Sequence, residues 1–265
     1  GLRGILLQLV ATGKPLSTVG MRIEDRTRTF IIAMKRTVVP ENFSFRMTDE
    51  EYRVLEKIKN SIPVCYLADH ADFALGIVTG NNKKFLSAEK TEHSEMVLKG
   101  TDICKYHINP AKQYLRFEPE QFQQVAPLEI YRAPEKLLYR FISNQLVVAY
   151  DDRQMLSLNS CNIVIPKIEG MQIKYILAIL NSSVSQFVYQ KEFHSIKVLR
   201  AHMEHIPIPR VGKAIQNEII AMTEPLICGM GKEAAETCQK RLDCRIMDLF
   251  RLSAEEQWII RHALH

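Results

Sequence analysis

Apolar and polar positions are patterned most clearly between Tyr131 and Pro166. Two runs rich in Val and Ile, Leu146–Ala149 and Asn162–Ile165, bracket the polar stretch Asp151-Asp152-Arg153-Gln154. Asn144 and Pro166 bound them, which predicts strand, turn and strand. Just upstream, Pro134 suits a first helical position and predicts a helical segment through Arg140. Thr48 followed by Glu51 has capping-box spacing and opens a helix carrying Tyr52, Leu55 and Ile58, which Pro63 ends. Strands are expected at Thr29–Met34, across Val64–Val78 with a break at Asp69-His70, within Glu95–Tyr106 running into a turn, and at Tyr114–Phe117. Ile173–Gln190 reads as one helix, with Ile173, Leu177, Leu180, Val184 and Phe187 on a single stripe. Asn181, Ser182 and Ser183 sit in its middle and weaken it.

Ile206-Pro207-Ile208-Pro209 is extended, because neither proline tolerates a helix interior. A boundary is placed after it, near Val211–Lys213. Residues 1–212 then form an α/β body and 213–265 a C-terminal helical hairpin. The hairpin comprises Lys213–Cys228, containing Pro225, and Glu233–Leu249; Ser253 with Glu256 opens a last short helix.

Composition narrows the class without naming a function. The chain has 265 residues, 46% hydrophobic and 25% charged, with a net charge of +5. This is ordinary globular composition with a mildly basic balance, suited to a DNA-facing patch on a mixed surface and to many other surfaces. Six scattered cysteines form no CxxC pair, so reduced thiols in a cytoplasmic protein are expected. The apolar run Ile5–Val10 is too short to span a membrane.

Candidate chemistry is mostly binding chemistry. Lys136, Arg140, Arg153, Asn159 and Ser160 lie on or near the predicted ribbon, and a β-ribbon carrying such groups can enter a DNA groove. An ordinary hairpin with a wet face fits the same pattern. The loop Thr79-Gly80-Asn81-Asn82-Lys83-Lys84 offers amides and ammonium groups: Asn can pair bidentately with adenine, and Lys can reach guanine edges or phosphates. A solvated turn reads equally well there. It is not a phosphate loop, because Phe85 follows the lysines where Ser or Thr is required. Arg22, Arg26, Arg28, Lys35 and Arg36 flank the strand at Thr29–Met34 as phosphate candidates or solvated charges. Cys104 with His107, and His202 with His205 near His194, complete no zinc pattern. No nucleophile elbow or dinucleotide fingerprint is present, and Asp151-Asp152 reads as turn chemistry rather than a metal-holding pair.

Six segments, in order, resemble the TaqI-like C-terminal specificity domain of type IIG and related restriction–modification adenine methyltransferases. They are Gly76–Leu86 (GIVTGNNKKFL), Leu98–Ile103 (LKGTDI), Pro134–Pro166, Ile173–Gln190, Ile206–Pro209 and Ile246–Trp258. Two departures stand out: Arg251 where the family usually has Gly, and Met155-Leu156-Ser157 where Tyr and Thr are common. The resemblance implies an α+β fold: a β-rich, β-helix-like recognition body with a C-terminal α-hairpin. It implies a non-catalytic module that reads double-stranded DNA beside a methyltransferase catalytic domain or subunit. No cofactor is expected in this chain, S-adenosylmethionine belonging to the catalytic domain. The string Asn109-Pro110-Ala111-Lys112 lacks the second proline and the aromatic of the family's catalytic motif. The expected DNA contacts are the Thr79–Lys84 loop, Lys99, Arg153, Asn159 and Ser160, with Lys136 and Arg140 as phosphate partners. The competing readings are an interaction scaffold that docks a methyltransferase through its helical tail, and an unrecognised nuclease.

Overall fold

The computed structural model describes residues 47–193 and 195–264 in full, and the backbone of three strands before them. Those strands, β1 (Leu6–Val10), β2 (Gly20–Glu24) and β3 (Thr29–Ala33), form an antiparallel meander. The Arg22 side chain, together with Arg26, Arg28, Lys35, Arg36 and His194, lies outside the described residues.

Helix α1 (Asp49–Asn60) starts at the expected capping box, Glu51 N donating to Thr48 Oγ1 and Thr48 N to the Glu51 carboxylate. Ten short strands follow in the body: β4 (Val64–Cys65), β5 (Ala71–Ala74), β6 (Leu86–Ser87), β7 (Ser94–Leu98), β8 (Gln113–Arg116), β9 (Lys136–Arg140), β10 (Val148–Asp151), β11 (Leu156–Ser157), β12 (Cys161–Pro166) and β13 (Ile208–Pro209). They make a central sheet of order β10-β9-β12-β5, a second sheet of order β11-β7-β8-β6, and the pair β13-β4.

Both faces of the central sheet are buried. Leu137, Tyr139, Val148, Tyr150 and Val164 enter a core shared with the helices. Leu138, Ala149, Cys161 and Ile163 enter a second core, shared with Val97, Leu98 and Leu115 of the second sheet. The period of two assigns alternate side chains to opposite cores, so these strands read as continuous apolar runs.

This arrangement corrects two expectations. Residues 136–140 are a strand, not a helix: β9 is central, antiparallel to both β10 and β12, and its first four residues are fully enclosed. The two apolar runs are strands as expected, but they do not pair with each other. β9 lies between them, and the polar stretch after β10 leads into β11, which pairs in parallel with β7 of the other sheet. Pattern specifies that a run is a strand; it carries no information on which strand lies beside it.

The expected single helix over 173–190 is two, α2 (Ile173–Asn181) and α3 (Ser183–Glu192). Ser182 leaves the helical conformation at ψ 159° and caps α3, accepting from Ser185 N. The break frees Asn181 for another task. Its buried amide accepts from Val148 N at 3.1 Å and donates to Val148 O at 2.8 Å. Gln186 repeats this on Leu146, at 2.9 and 3.0 Å. Together with the Tyr106 backbone, which bridges Ala149 by donating to Val148 O and accepting from Tyr150 N, these two side chains take the hydrogen bonds that a further strand would make at the edge beside β10.

The tail consists of α4 (Lys213–Cys228), which contains Pro225, α5 (Lys232–Leu249) and α6 (Ala254–Ala263), capped by Ser253 and Glu256 as expected. Ile219, Leu226, Leu242 and Ile246 belong to the same core as Leu177 and Phe187 of the body. Arg251 follows α5 at φ +54°. Arg251 N donates to Asp248 O and Leu252 N to Met247 O, the Schellman arrangement in which the left-handed residue favours glycine. The departure from the family pattern at 251 therefore falls on a position with a conformational reason for glycine. The fold class is α+β, with helices at the C-terminus. Among the described residues, no helix is long and apolar enough to cross a membrane.

Candidate nucleic-acid interface

Three chain segments converge on the turn Leu158-Asn159-Ser160, which precedes β12. Asn159 N donates to Ile77 O at 3.1 Å, and Leu158 N to Leu98 O at 2.9 Å. Gly100 N donates to Ser160 Oγ at 3.0 Å, and Phe141 N to Ser160 O at 3.0 Å. Backbone approach here is too close for any side chain. A Cβ at Gly76 would lie 2.1 Å from Leu158 O, and one at Gly100 would lie 2.4 Å from Ser160 O. Gly76 of the GIVTGNN segment and Gly100 of the LKGTDI segment are thus required by the junction itself.

Around this junction the side chains divide into those that build it and those it leaves open. Arg140 builds: Nε donates to Gly100 O at 2.9 Å and Nη2 to Ile103 O at 2.5 Å, holding the turn after β7. Ser160 builds by receiving Gly100. Asp102 accepts from Lys99 N at 2.8 Å and fixes the strand exit. Asn159 is exposed, bonded through its backbone, and its amide has no partner among the described residues. The Lys99 ammonium, half-buried at the same junction, is likewise unpaired.

The Thr79–Lys84 loop extends from the same strand edge. Gly80 sits at φ +74°, the left-handed turn that the sequence suggested. Asn81 caps a four-residue turn, Asn82–Phe85, by accepting from Lys84 N at 3.2 Å. Buried Thr79 donates to Asn82 Oδ1 at 2.6 Å, and the NH2 of exposed Asn82 has no partner among the described residues. The Lys84 ammonium donates to Gln121 Oε1 at 2.6 Å. Lys83 is exposed and has no partner among the described residues. Within this loop, the side-chain groups with no partner among the described residues are the NH2 groups of Asn81 and Asn82 and the Lys83 ammonium.

Two predicted residues lie elsewhere. Lys136 begins β9, at the opposite end of the central sheet from Arg140, roughly 13 Å away at strand rise. It is fully buried and cannot meet a phosphate there. Its ammonium pairs with equally buried Asp151 at 2.5 Å and donates to Tyr131 O at 2.6 Å. Burial pushes the Lys136 pKa down and the Asp151 carboxylate opposes that shift. Asp151 also accepts from Arg153 N and Met155 N, both at 2.9 Å, so the expected turn chemistry is present together with a buried ion pair. Arg153 accompanies this far end; its side chain is exposed and has no partner among the described residues.

Sequence reasoning missed the amide pair Asn181 and Gln186 and the exposed Thr101 beside Lys99. A polar residue in the middle of an otherwise apolar helical stripe was the available signal for Asn181. Among the described residues no group of three or more His, Cys, Asp or Glu is placed to hold a metal. His202 stacks on Phe193 at 4.6 Å and accepts from Leu199 N, and Cys104 accepts from Asn109. Cys161 is fully buried, and burial pushes its thiol pKa up, which keeps it protonated and unreactive.

Residues 95–208 match the model of the TaqI-like C-terminal specificity domain family. A search of curated proteins finds no match. Solved structures similar to this chain include one from a study of complex assembly and conformational transition in a type I R-M system, with 13% identity, 82% of this chain and 52% of that one covered, and a TM-score of 0.43. A second is the type IIL restriction-modification enzyme MmeI in complex with DNA, with 11% identity, 78% and 37% covered, and a TM-score of 0.48. A third is the HsdS subunit from Thermoanaerobacter tengcongensis, with 14% identity, 82% and 50% covered, and a TM-score of 0.40. The chain spans about half the length of these proteins or less. The matched segment contains the Lys99, Arg140 and Asn159 junction, β9 to β12 and the broken helix pair. Residues 95–208, a little under half of the chain, are thus similar to the TaqI-like C-terminal specificity domain family.

Proposed function

We propose that this chain is the DNA target-recognition module of a restriction–modification methyltransferase, reading duplex DNA without performing the chemistry. The observation that carries this reading is the junction at 158–160, most of it inside the matched domain. A rigid backbone presents the Asn159 amide and the Lys99 ammonium, and the neighbouring loop adds the Asn82 amide and Lys83. Amides suit base edges, and ammonium groups suit phosphates that set register. Thr79, Arg140 and Ser160 hold this presentation in place, and Asn81 caps the loop through its oxygen while its NH2 stays open beside the Asn82 amide.

Chemistry on a base requires taking it out of the stack, and a separate module that reads neighbouring base pairs lets a catalytic domain do so. On this reading the partner is a methyltransferase domain or subunit, which supplies S-adenosylmethionine, and the chain works in the cytoplasm.

The test is fluorescence anisotropy of random-sequence duplex DNA at several salt concentrations, with Lys83→Ala and Lys99→Ala in one variant. Wild-type affinity should fall steeply with salt. The log–log slope should drop by about one for each lysine removed. A wild-type chain that ignores duplex DNA at low salt, or a variant with an unchanged slope, overturns the reading.

A further inference from the structure

A cavity of about 550 Å³ lies between the helical tail and the body. Three cations line it: Lys105 from the segment after β7, Lys240 from α5 and Arg261 from α6. None of them makes an ion pair among the described residues. The Lys105 ammonium donates to Asn181 O at 3.1 Å. Arg261 Nη2 donates to Cys244 Sγ at 3.3 Å and to Gln257 Oε1 at 3.1 Å. Lys240 is exposed and has no partner among the described residues. The cavity's one carboxylate, Asp243, is committed elsewhere: Ser183 N donates to Oδ1 and Ser183 Oγ to Oδ2, each at 2.8 Å.

Lys105 departs from the way this fold treats its enclosed lysines. Buried Lys136 has Asp151 at 2.5 Å, and buried Lys191 has Glu51 at 2.8 Å. Half-buried Lys105 has only a carbonyl; burial pushes its pKa down, and Asp243 opposes that shift from beyond ion-pairing distance. A cation drawn out of water without an adjacent anion is costly unless a ligand supplies the charge. With three cations against one carboxylate, the cavity calls for an anion. It also holds two neutral polar groups, the side-chain amides of Gln145 and Gln190, neither with a partner among the described residues. An amide donates and accepts, as a sugar hydroxyl or a base edge requires. The volume is that of a site for a small organic molecule, several times what a bare phosphate fills.

We infer that this cavity binds a free mononucleotide, with Lys105, Lys240 and Arg261 on its phosphate and the Gln145 and Gln190 amides on its nucleoside. A guanidinium with two ammonium groups suits a dianionic phosphate, the first by its fork of donors and the others as point charges. The inference does not depend on the target-recognition reading, since the cavity shares no residue with the Lys99 and Asn159 junction or with the Thr79–Lys84 loop.

The experiment is isothermal titration calorimetry of the full chain with adenosine 5′-monophosphate, adenosine and inorganic phosphate, repeated on Lys240→Gln/Arg261→Gln. Both side chains are exposed, so the variant should keep the wild-type circular dichroism spectrum. Wild type should bind the monophosphate about tenfold more tightly than either adenosine or phosphate. The double variant should bind it about a hundredfold more weakly, roughly tenfold for each cation removed. Lys240→Gln alone, at a side chain with no internal partner, should lose about tenfold and keeps the test valid if the double variant misfolds. No heat from the monophosphate, adenosine binding as tightly as the monophosphate, or an unchanged affinity in both variants overturns the inference. Phosphate binding as tightly as the monophosphate overturns the nucleoside half of it. Displacement of a bound random-sequence duplex by the monophosphate would assign the three cations to backbone phosphate and overturn the free ligand.

Discussion

The two ends of the central sheet use similar residues for opposite purposes. At the end where β9 starts, Lys136 and Asp151 are sealed inside the protein, and Asp151 also organises the following turn. At the end where β9 finishes, Arg140 spends its guanidinium on two backbone carbonyls, and Asn159 and Lys99 stay open. Charge on a ribbon is therefore no guide to ligand contact. What matters is whether the fold provides an internal partner. A charge paired inside is committed to stability, whereas one left beside a rigid backbone turn is available for recognition.

The largest expected effect is at the closed end. Lys136→Met leaves Asp151 buried without its cation and should cost about 3–5 kcal/mol in urea unfolding. Adding Asp151→Asn should recover part of that loss, since no uncompensated charge remains. A Lys136→Met protein as stable as wild type would erase the contrast between the ends.

Next comes the edge of β10. Asn181→Ala leaves Val148 N without its acceptor, while Val148 O keeps the bond from Tyr106 N, and should cost about 1–2 kcal/mol by the same measurement. A loss well under 1 kcal/mol would mean that the amide fills space rather than replacing a strand.

Outside both ends, Arg251→Gly relieves a left-handed residue and should stabilise by about 1 kcal/mol. Its DNA affinity should not move, which sets the level of change expected from a purely conformational substitution.

The smallest effect is the sharpest test of the division. Arg153→Ala, at the closed end, should leave the salt slope of DNA binding unchanged, whereas Lys83→Ala lowers it. A drop at Arg153 equal to that at Lys83 would mean that the duplex reaches both ends of the sheet.

Family and fold class were legible because short motifs carry local constraints that the chain cannot evade. Gly76 and Gly100 stand where a Cβ would strike a carbonyl oxygen, and such glycines mark their segments in the sequence. The loop at 79–84 was found, but the split of its side chains into cap, internal bond and free group was not. That split depends on Gln121 and on the burial of Thr79, neither of which a local pattern shows.

By itself the sequence determined the features closed within one turn of chain: the capping boxes at Thr48 and Ser253, the left-handed turn at Gly80, the extended Ile206–Pro209, and the apolar runs of β10 and β12. Each depends on a few neighbouring dihedrals and side chains. Only the tertiary structure decided that Lys136–Arg140 is a strand between those two runs, that the helix breaks at Ser182 so that Asn181 can serve β10, and which cations remain free. Those outcomes depend on partners tens of residues away. A buried lysine and a solvated one look the same in a sequence until the carboxylate that neutralises the first has been brought beside it.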